Sequence, residues 1–287
     1  MNTGTSFNGK ISFTADGVAY RRTFTDIPYS KEIFEILKQH GGMMDPKEKQ
    51  RAVAMPQLIP MFEARYLLTD QELKKSGIKQ VLELASGLSP RGFIWADDLD
   101  VQYVEIDLPE KMAMKRTVVN ELHCLNGTNG YDNLHLLEGN ITQRQDILDS
   151  NIYLEHEPLF VICEGLLRYL DWKDKESLVV AVRDTIHLHG GGIWTTPDIE
   201  LLSDVNATPE STARYDMMAR EWGFDVRPNL FKDMEHAVEF FEAFGFKVTQ
   251  HCQLEMIDQL VSPKRLGLPD ENVRQQLGMR TSFVMTL

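Results

Sequence analysis

Positive charge is scarce in this chain. Thirty Lys and Arg stand against 43 Asp and Glu, a formal net charge of −13 over 287 residues. A nucleic-acid backbone or an anionic membrane surface needs a basic face, so neither is expected as the main partner. The one short basic cluster near the N-terminus, Arg21-Arg22, is small. Cysteine is also sparse. Cys124, Cys163 and Cys252 are widely spaced, odd in number and form no C-x-x-C. That pattern fits free thiols in a reducing compartment better than a disulfide or metal framework. No apolar run approaches the ~18 residues of a membrane span, and no basic leader precedes an apolar stretch, so no signal peptide is expected. The expected setting is the cytoplasm. Internal repeats and low-complexity tracts are missing too. What remains is ordinary globular composition, 43% apolar and 25% charged, in a chain long enough for one enlarged domain or a core with a cap.

Two phosphate-binding signatures are absent as well. G-x-G-x-x-G fails because, around Gly87, Ala85 and Pro90 stand where the first and third glycines are needed. In G-x-x-x-x-G-K-[ST], Gly87 and Gly92 have the spacing, but Phe93 replaces the lysine.

The pattern that is present changes character at Lys79. Up to about residue 75 it is helical. Thr14–Phe24 predicts a short helix with Thr14 as N-cap. Ser30–His40 predicts a better one, with Ile33, Phe34 and Leu37 on one face and Gly41-Gly42 as the stop. Asp45–Lys75 is helical again, with Pro56 and Pro60 as breaks or starts. From Lys79 short apolar runs alternate with amphipathic stretches. The runs are Gln80–Ala85, Val101–Asp107, Leu134–Leu137, Leu159–Cys163, Gly192–Thr196, Phe246–Cys252 and Thr281–Leu287. The helical stretches include Pro109–Leu125, Asp171–His189 with Asp171 as N-cap, and Leu230–Phe244. Such alternation implies an α/β fold: a doubly wound, seven-stranded, mainly parallel sheet with helices on both faces. The last strand, reached by a returning connection, is expected antiparallel. Residues 200–228 are too long for a loop and predict an inserted helix around Thr208-Pro-Glu and Trp222. The expected division is a helical N-terminal cap over residues 1–75 on a core over residues 76–287.

Chemistry concentrates at Val81–Gly92 and at Tyr103-Val-Glu-Ile-Asp-Leu-Pro109. A ligand lying against backbone after a strand needs small residues there, and Ala85, Ser86 and Gly87 supply them. Asp107 follows Gly87 by twenty positions, the spacing at which an acid on a second strand reaches a ribose held over the first turn. A nucleoside without phosphates, anchored through its ribose, points to S-adenosylmethionine. Alternatively, Asp107 caps the helix that opens at Pro109, or the junction binds nothing.

These two blocks, together with Cys163-Glu-Gly-Leu-Leu-Arg-Tyr-Leu170, resemble the signature blocks of the leucine carboxyl methyltransferase family, a branch of the class I S-adenosylmethionine-dependent methyltransferases. The likeness spans at least residues 60–200. It implies the Rossmann-like methyltransferase fold and an O-methyltransferase that uses S-adenosyl-L-methionine to methylate a carboxylate or hydroxyl oxygen of a small molecule. It also implies roles. Ala85, Ser86 and Gly87 would line the methionine moiety. Asp107, with Leu108 beside it, would accept from the ribose. Asn140 and Ile141 would contact adenine. Glu164 would sit beside the methionine amino group, Arg65 would pair with its carboxylate, and Arg91 would brace the loop. The chain departs from the pattern at Ala85, usually glycine, at Ser89-Pro90, at Asn140, usually aspartate, and at Arg168, commonly apolar.

Bland readings stand beside these. Glu164 pairs with Arg168, Arg65 is a surface arginine, and Glu105 is structural, a partner of Arg91. His187 and His189 end a helix rather than bind a metal, and no metal is expected. Position alone nominates Asp198 and Tyr169 as a base, which only a hydroxyl acceptor needs. Tyr20, Arg21, Tyr29 and Arg168 are candidates to line the acceptor pocket, where arginines suit an acidic acceptor. A small-molecule acceptor is the expected partner, and nothing in the pattern specifies an oligomer, a homodimer included. Two other classes remain open: an inactive methyltransferase-like interaction protein, and a nucleotide-dependent oxidoreductase, which the missing phosphate fingerprint disfavours.

Overall fold

A computed structural model describes residues 13–40 and 55–287. Seven strands form one sheet: β1 (Gln80–Leu84), β2 (Gln102–Asp107), β3 (Leu134–Glu138), β4 (Leu159–Cys163), β5 (Gly192–Ile199), β6 (Lys247–Cys252) and β7 (Thr281–Thr286). Their order is β3-β2-β1-β4-β5-β7-β6. The first five are parallel, and β7 runs antiparallel to both its neighbours. This is the architecture the alternating pattern predicts.

The reason is burial. Every residue of β1 and β4 is buried, as expected for parallel strands covered on both faces, so β4 reads as an unbroken apolar run and β1 as one interrupted by Glu83. One face packs on α7 (Trp172–Leu188) and α10 (Met234–Glu242) through Leu82, Val104, Val161, Leu178, Val182 and Phe241. On the other face, Val81, Tyr103, Phe160 and Ile162 meet Leu73 of α3 (Ile59–Ser76). α4 (Arg91–Trp95) and α5 (Pro109–Asn126) link β1 to β2 and β2 to β3, and the short α6 (Arg144–Asp149) lies between β3 and β4. Phe93 of α4 meets Val118 and Leu122 of α5, together with Ile33 and Leu37 of α2 (Ser30–Gln39) and Ala19 of α1 (Phe13–Arg22).

Local rules place most boundaries. Asp171 caps α7, accepting from Asp174 N. Pro109 opens α5 at its first turn, where no amide is needed. The inserted helix is α9 (Pro209–Trp222), capped by Thr208, preceded by the short α8 (Leu202–Val205). α11 (Ser262–Arg265) and α12 (Asp270–Gly278) separate β6 from β7.

Three expectations need correction. Thr14 lies inside α1 and does not cap it. α10 starts at Met234, capped by Asp233, and not at Leu230. The carbonyls of Phe231 and Lys232 accept from Leu202 and Ser203 instead, which holds that backbone extended. Glu105 does not meet Arg91. It is fully buried with Lys115 Nζ 2.6 Å away, and burial raises its pKa. Its carboxylate lies against Gly92, where an added Cβ would come within 2.1 Å of Oε1. The stop at Gly41-Gly42 and the start of the Asp45 stretch lie outside the described residues. Among the described residues no helix is long and apolar enough to cross a membrane.

Candidate active site

The chain winds outward in opposite directions from β1 and β4, and in such sheets the crevice beyond the carboxyl ends of these strands is the natural ligand site. β1 runs into it through Ala85 and Gly87, both left-handed at φ 52° and 53°. The resulting bend turns the Gly87 amide onto Asp107 Oδ2 at 2.6 Å. Asp107 Oδ1 accepts from Leu108 N at 2.7 Å. The carboxylate thus ties the β1 loop to the end of β2, and Leu108, not Asp107, takes the cap position of α5. Each of its oxygens keeps a lone pair for a further donor. Burial pushes the Asp107 pKa up, and the two amides pull it back.

Glu164 follows β4. Its Oε1 accepts from Arg65 Nε at 2.9 Å and Arg22 Nη2 at 3.1 Å, and its Oε2 from Arg91 Nη2 at 3.2 Å. Burial alone would raise its pKa, but Arg65, Arg22 and Arg91 together hold it down to about 2. It is a carboxylate at any physiological pH. Arg91, fully buried, also bonds Glu83 Oε1 at 2.8 Å and Asp70 Oδ1 at 2.7 Å. Tyr103 donates to the other oxygen of Glu83 at 2.7 Å, and the Tyr66 ring lies 4.3 Å from the Arg91 guanidinium. Three acids and three arginines therefore interlock beneath the crevice.

At the end of β3, Asn140 turns inward. Its Oδ1 accepts from Thr142 N and Oγ1, at 3.1 and 2.9 Å. That leaves its amide hydrogens to donate. A cavity of about 210 Å³ joins these groups, lined by Arg22, Arg65, Ala85, Ser86, Gly87, Asp107, Leu108, Asn140, Ile141 and Glu164. Every residue expected at a nucleoside-methionine site lies in this one wall. Arg91 stays behind it. Ser86 is buried beside the Glu105 carboxylate, to which its hydroxyl donates.

A second cavity of about 180 Å³ adjoins the first and shares Val18, Arg65 and Gly165 with it. Arg21, Arg168 and Tyr169 line it, with Phe62, Met217, Met218 and Trp222. Arg168 does not pair with Glu164. Its Nη1 binds Glu200 Oε1 at 2.6 Å. Tyr20 and Tyr29 line neither cavity. Tyr20 packs on Phe24 and Phe34, and Tyr29 meets Phe93 edge-on while its hydroxyl reaches Asn126. Asp198 lies in β5, but its side chain is outside the described residues.

Sequence reasoning misses Arg22, Asp70 and Glu83. Arg22 reaches Glu164 across 142 positions, and no local spacing signals that. Glu83 carried a hint, as an acid inside an otherwise apolar strand.

This strand order with an antiparallel β7, an acid closing β2 and no phosphate loop define the class I methyltransferase fold. The chain belongs to the leucine carboxyl methyltransferase family, whose model matches residues 20–183, more than half of its length. That family is one of methyltransferases. Solved structures agree on the fold. A Thermobifida fusca YX protein described as a methyltransferase superposes with TM-score 0.56 at 12% identity, covering 93% of each chain. An O-methyltransferase family protein from Burkholderia thailandensis gives 0.50 at 14% identity, covering 99% of this chain and 73% of that one. A Nostoc punctiforme PCC 73102 protein described as an O-methyltransferase gives 0.50 at 12% identity. It covers 80% of this chain, which spans only 60% of the Nostoc protein. No curated protein matches the chain.

Proposed function

We propose that the chain methylates a carboxylate or hydroxyl oxygen of a small molecule held in the second cavity, with S-adenosylmethionine in the first. The adjoining of the two cavities through Val18, Arg65 and Gly165 carries this reading. The first cavity's residues fit the cofactor's parts. Asp107 has acceptor capacity for two ribose hydroxyls. Glu164, held ionised, suits an ammonium. Arg22 and Arg65 suit a carboxylate, and they are already turned to that point by Glu164. Asn140 and Ile141 offer a polar edge and an apolar face to a base. The Ala85–Gly87 backbone admits close approach, Phe93 stands at the lysine position of a phosphate loop, and Lys111, which lines the cavity, is paired with Asp16.

Bound there, the cofactor supplies an electrophilic methyl: the new C–O bond forms as the C–S bond breaks, with its electron pair kept by sulfur. The protein's part is alignment and exclusion of water. Val18 and Gly165 shape the opening between the cavities. Ala15, Val18 and Arg22 of α1 wall the first cavity, and Arg21 and Val18 of the same helix wall the second. This supports reading residues 1–75 as a cap on a core over 76–287. A carboxylate acceptor needs no base. For a hydroxyl acceptor, Tyr169 is placed in the second wall to orient or receive its proton.

The test is labelled methyl transfer to a panel of carboxylic and phenolic acceptors, with calorimetry of S-adenosylhomocysteine and NADPH. Homocysteine-form binding and transfer to an oxygen acceptor are expected, with no NADPH binding. An interaction protein would bind without turnover on any acceptor, and absence of S-adenosylhomocysteine binding sinks the reading.

A further inference from the structure

Beyond the opening it shares with the first cavity, the second is built around Glu200, just past β5. Its carboxylate accepts from Arg168 Nη1 at 2.6 Å and from Tyr215 Oη at 2.7 Å. Arg168, Arg280 and the Tyr215 hydrogen bond hold it ionised against burial. Arg168 already neutralises that charge. Yet Arg214 of α9 and Arg280, immediately before β7, stand in the same wall. Among the described residues neither has a carboxylate within ion-pair distance. Burial, above all, pulls Arg214 below its ordinary pKa, and Arg280 and Arg168 add to that against the opposing pull of Tyr215 and Glu200; Glu200 and Asp204 are the acids that feel Arg280. In a chain of net charge −13, two guanidiniums left together in a cavity wall are a local exception. The wall also holds Arg65, paired with Glu164, and Arg21, whose Nη1 donates to the Gly17 carbonyl; its apolar part includes Met61, Phe62, Met217, Met218 and Trp222. Neither arginine borders the first cavity, where the methyl donor sits.

We propose that Arg214 and Arg280 anchor a carboxylate on the acceptor, and that this carboxylate is not the oxygen methylated. A planar guanidinium matches a carboxylate fork, and two of them fix its direction. The acceptor is then two-headed. Its anion rests on Arg214 and Arg280, its apolar body lies along Phe62 and Trp222, and a second oxygen reaches the opening at Val18, Arg65 and Gly165. This rests on the reading that the second cavity takes the acceptor.

The probes are para-coumarate and its uncharged amide, titrated calorimetrically with and without S-adenosylhomocysteine. The wild-type protein should prefer the acid by about a hundredfold, the worth of one charged hydrogen bond to each arginine. R214Q and R280Q should each remove about tenfold of that preference, R280K should restore part of it, and S-adenosylhomocysteine affinity should hold in all three, which also reports folding. Methyl transfer to the acid should yield the base-stable ether. Equal binding of acid and amide by the wild type, a preference surviving in the double variant R214Q/R280Q, or a base-labile ester as product overturns the inference. If S-adenosylhomocysteine fails to bind, the proposed function falls, while the acid-over-amide preference measured without it still judges the two arginines.

Discussion

Arg91→Met is the sharpest probe of how the site is held. Arg91 lines neither cavity, so its loss acts through what it braces. The side chain is fully buried and bonds three acids, Asp70, Glu83 and Glu164. Methionine fills much of the volume and leaves only Glu164 with cations, Arg22 and Arg65, while Glu83 keeps just the Tyr103 hydroxyl and Asp70 loses its arginine. Breaking a buried ion pair by removing one partner costs about 3–5 kcal/mol, chiefly because a charge is left uncompensated. With unfolding entropy of about 2.1 cal/mol/K per residue, the 287 residues give roughly 0.6 kcal/mol/K. The melting temperature should therefore fall by about 5–8 °C at pH 7, read by calorimetry or circular dichroism. Adding Glu83→Gln removes the most buried of the stranded charges while keeping an acceptor for Tyr103. The double variant should recover about 1–2 kcal/mol, a coupling visible in the double-mutant cycle. An Arg91→Met protein melting within about 2 °C of wild type, or strictly additive losses in the double variant, would refute the reasoning.

Three further outcomes are expected. Asp107→Ala should weaken S-adenosylhomocysteine binding by about 1–3 kcal/mol; unchanged calorimetric affinity removes the ribose role. Ala85 holds φ 52°, a conformation costing an L-residue about 1–2 kcal/mol. Ala85→Gly should thus be neutral or stabilising by about 0.5 kcal/mol in urea unfolding, while Gly87→Ala, at φ 53°, should lose about 1–2 kcal/mol; a marked loss in the first variant contradicts the strain. Glu164 has a folded pKa depressed to about 2, so its ionic stabilisation is present above its unfolded value near ~4.5 and is lost as pH falls toward 2. The stability difference between wild type and Glu164→Gln should shrink across that window. The comparison with the variant is needed because burial raises Asp70 and Asp107, and those two groups work in the opposite direction. A difference constant with pH disproves the assignment.

The fold was legible because its central strands are buried on both faces and so announce themselves as short, mainly apolar runs between capped helices, whereas the edge strands β3 and β6 are half-buried or exposed. Asp171 and Thr208 mark their helix starts by purely local chemistry, and both act as caps. Leu230–Lys232 looked helical because apolar spacing cannot report that its carbonyls are bound to another segment. At the site, the residues nominated for the first cavity all meet there, since each follows directly on a strand or lies on the preceding α3. Side-chain partners were harder. Glu105 took Lys115 and Arg168 took Glu200, pairings set by how α5 and the end of β5 pack and not by spacing. Tyr20 and Tyr29 look like pocket residues in one dimension but spend their rings on packing under α1 and α2.

The placement of β7 orders the site in time as well as in space. Each described residue of the first cavity lies at or before Asp174. The second requires Glu200, α9 and Arg280. β6 pairs with β7 alone, so on a ribosome it emerges without a partner and waits until β7 slots in between it and β5. The donor pocket is thus written into the earlier-made part of the chain, and the acceptor wall is sealed only when a strand delivered after its neighbour takes an interior place.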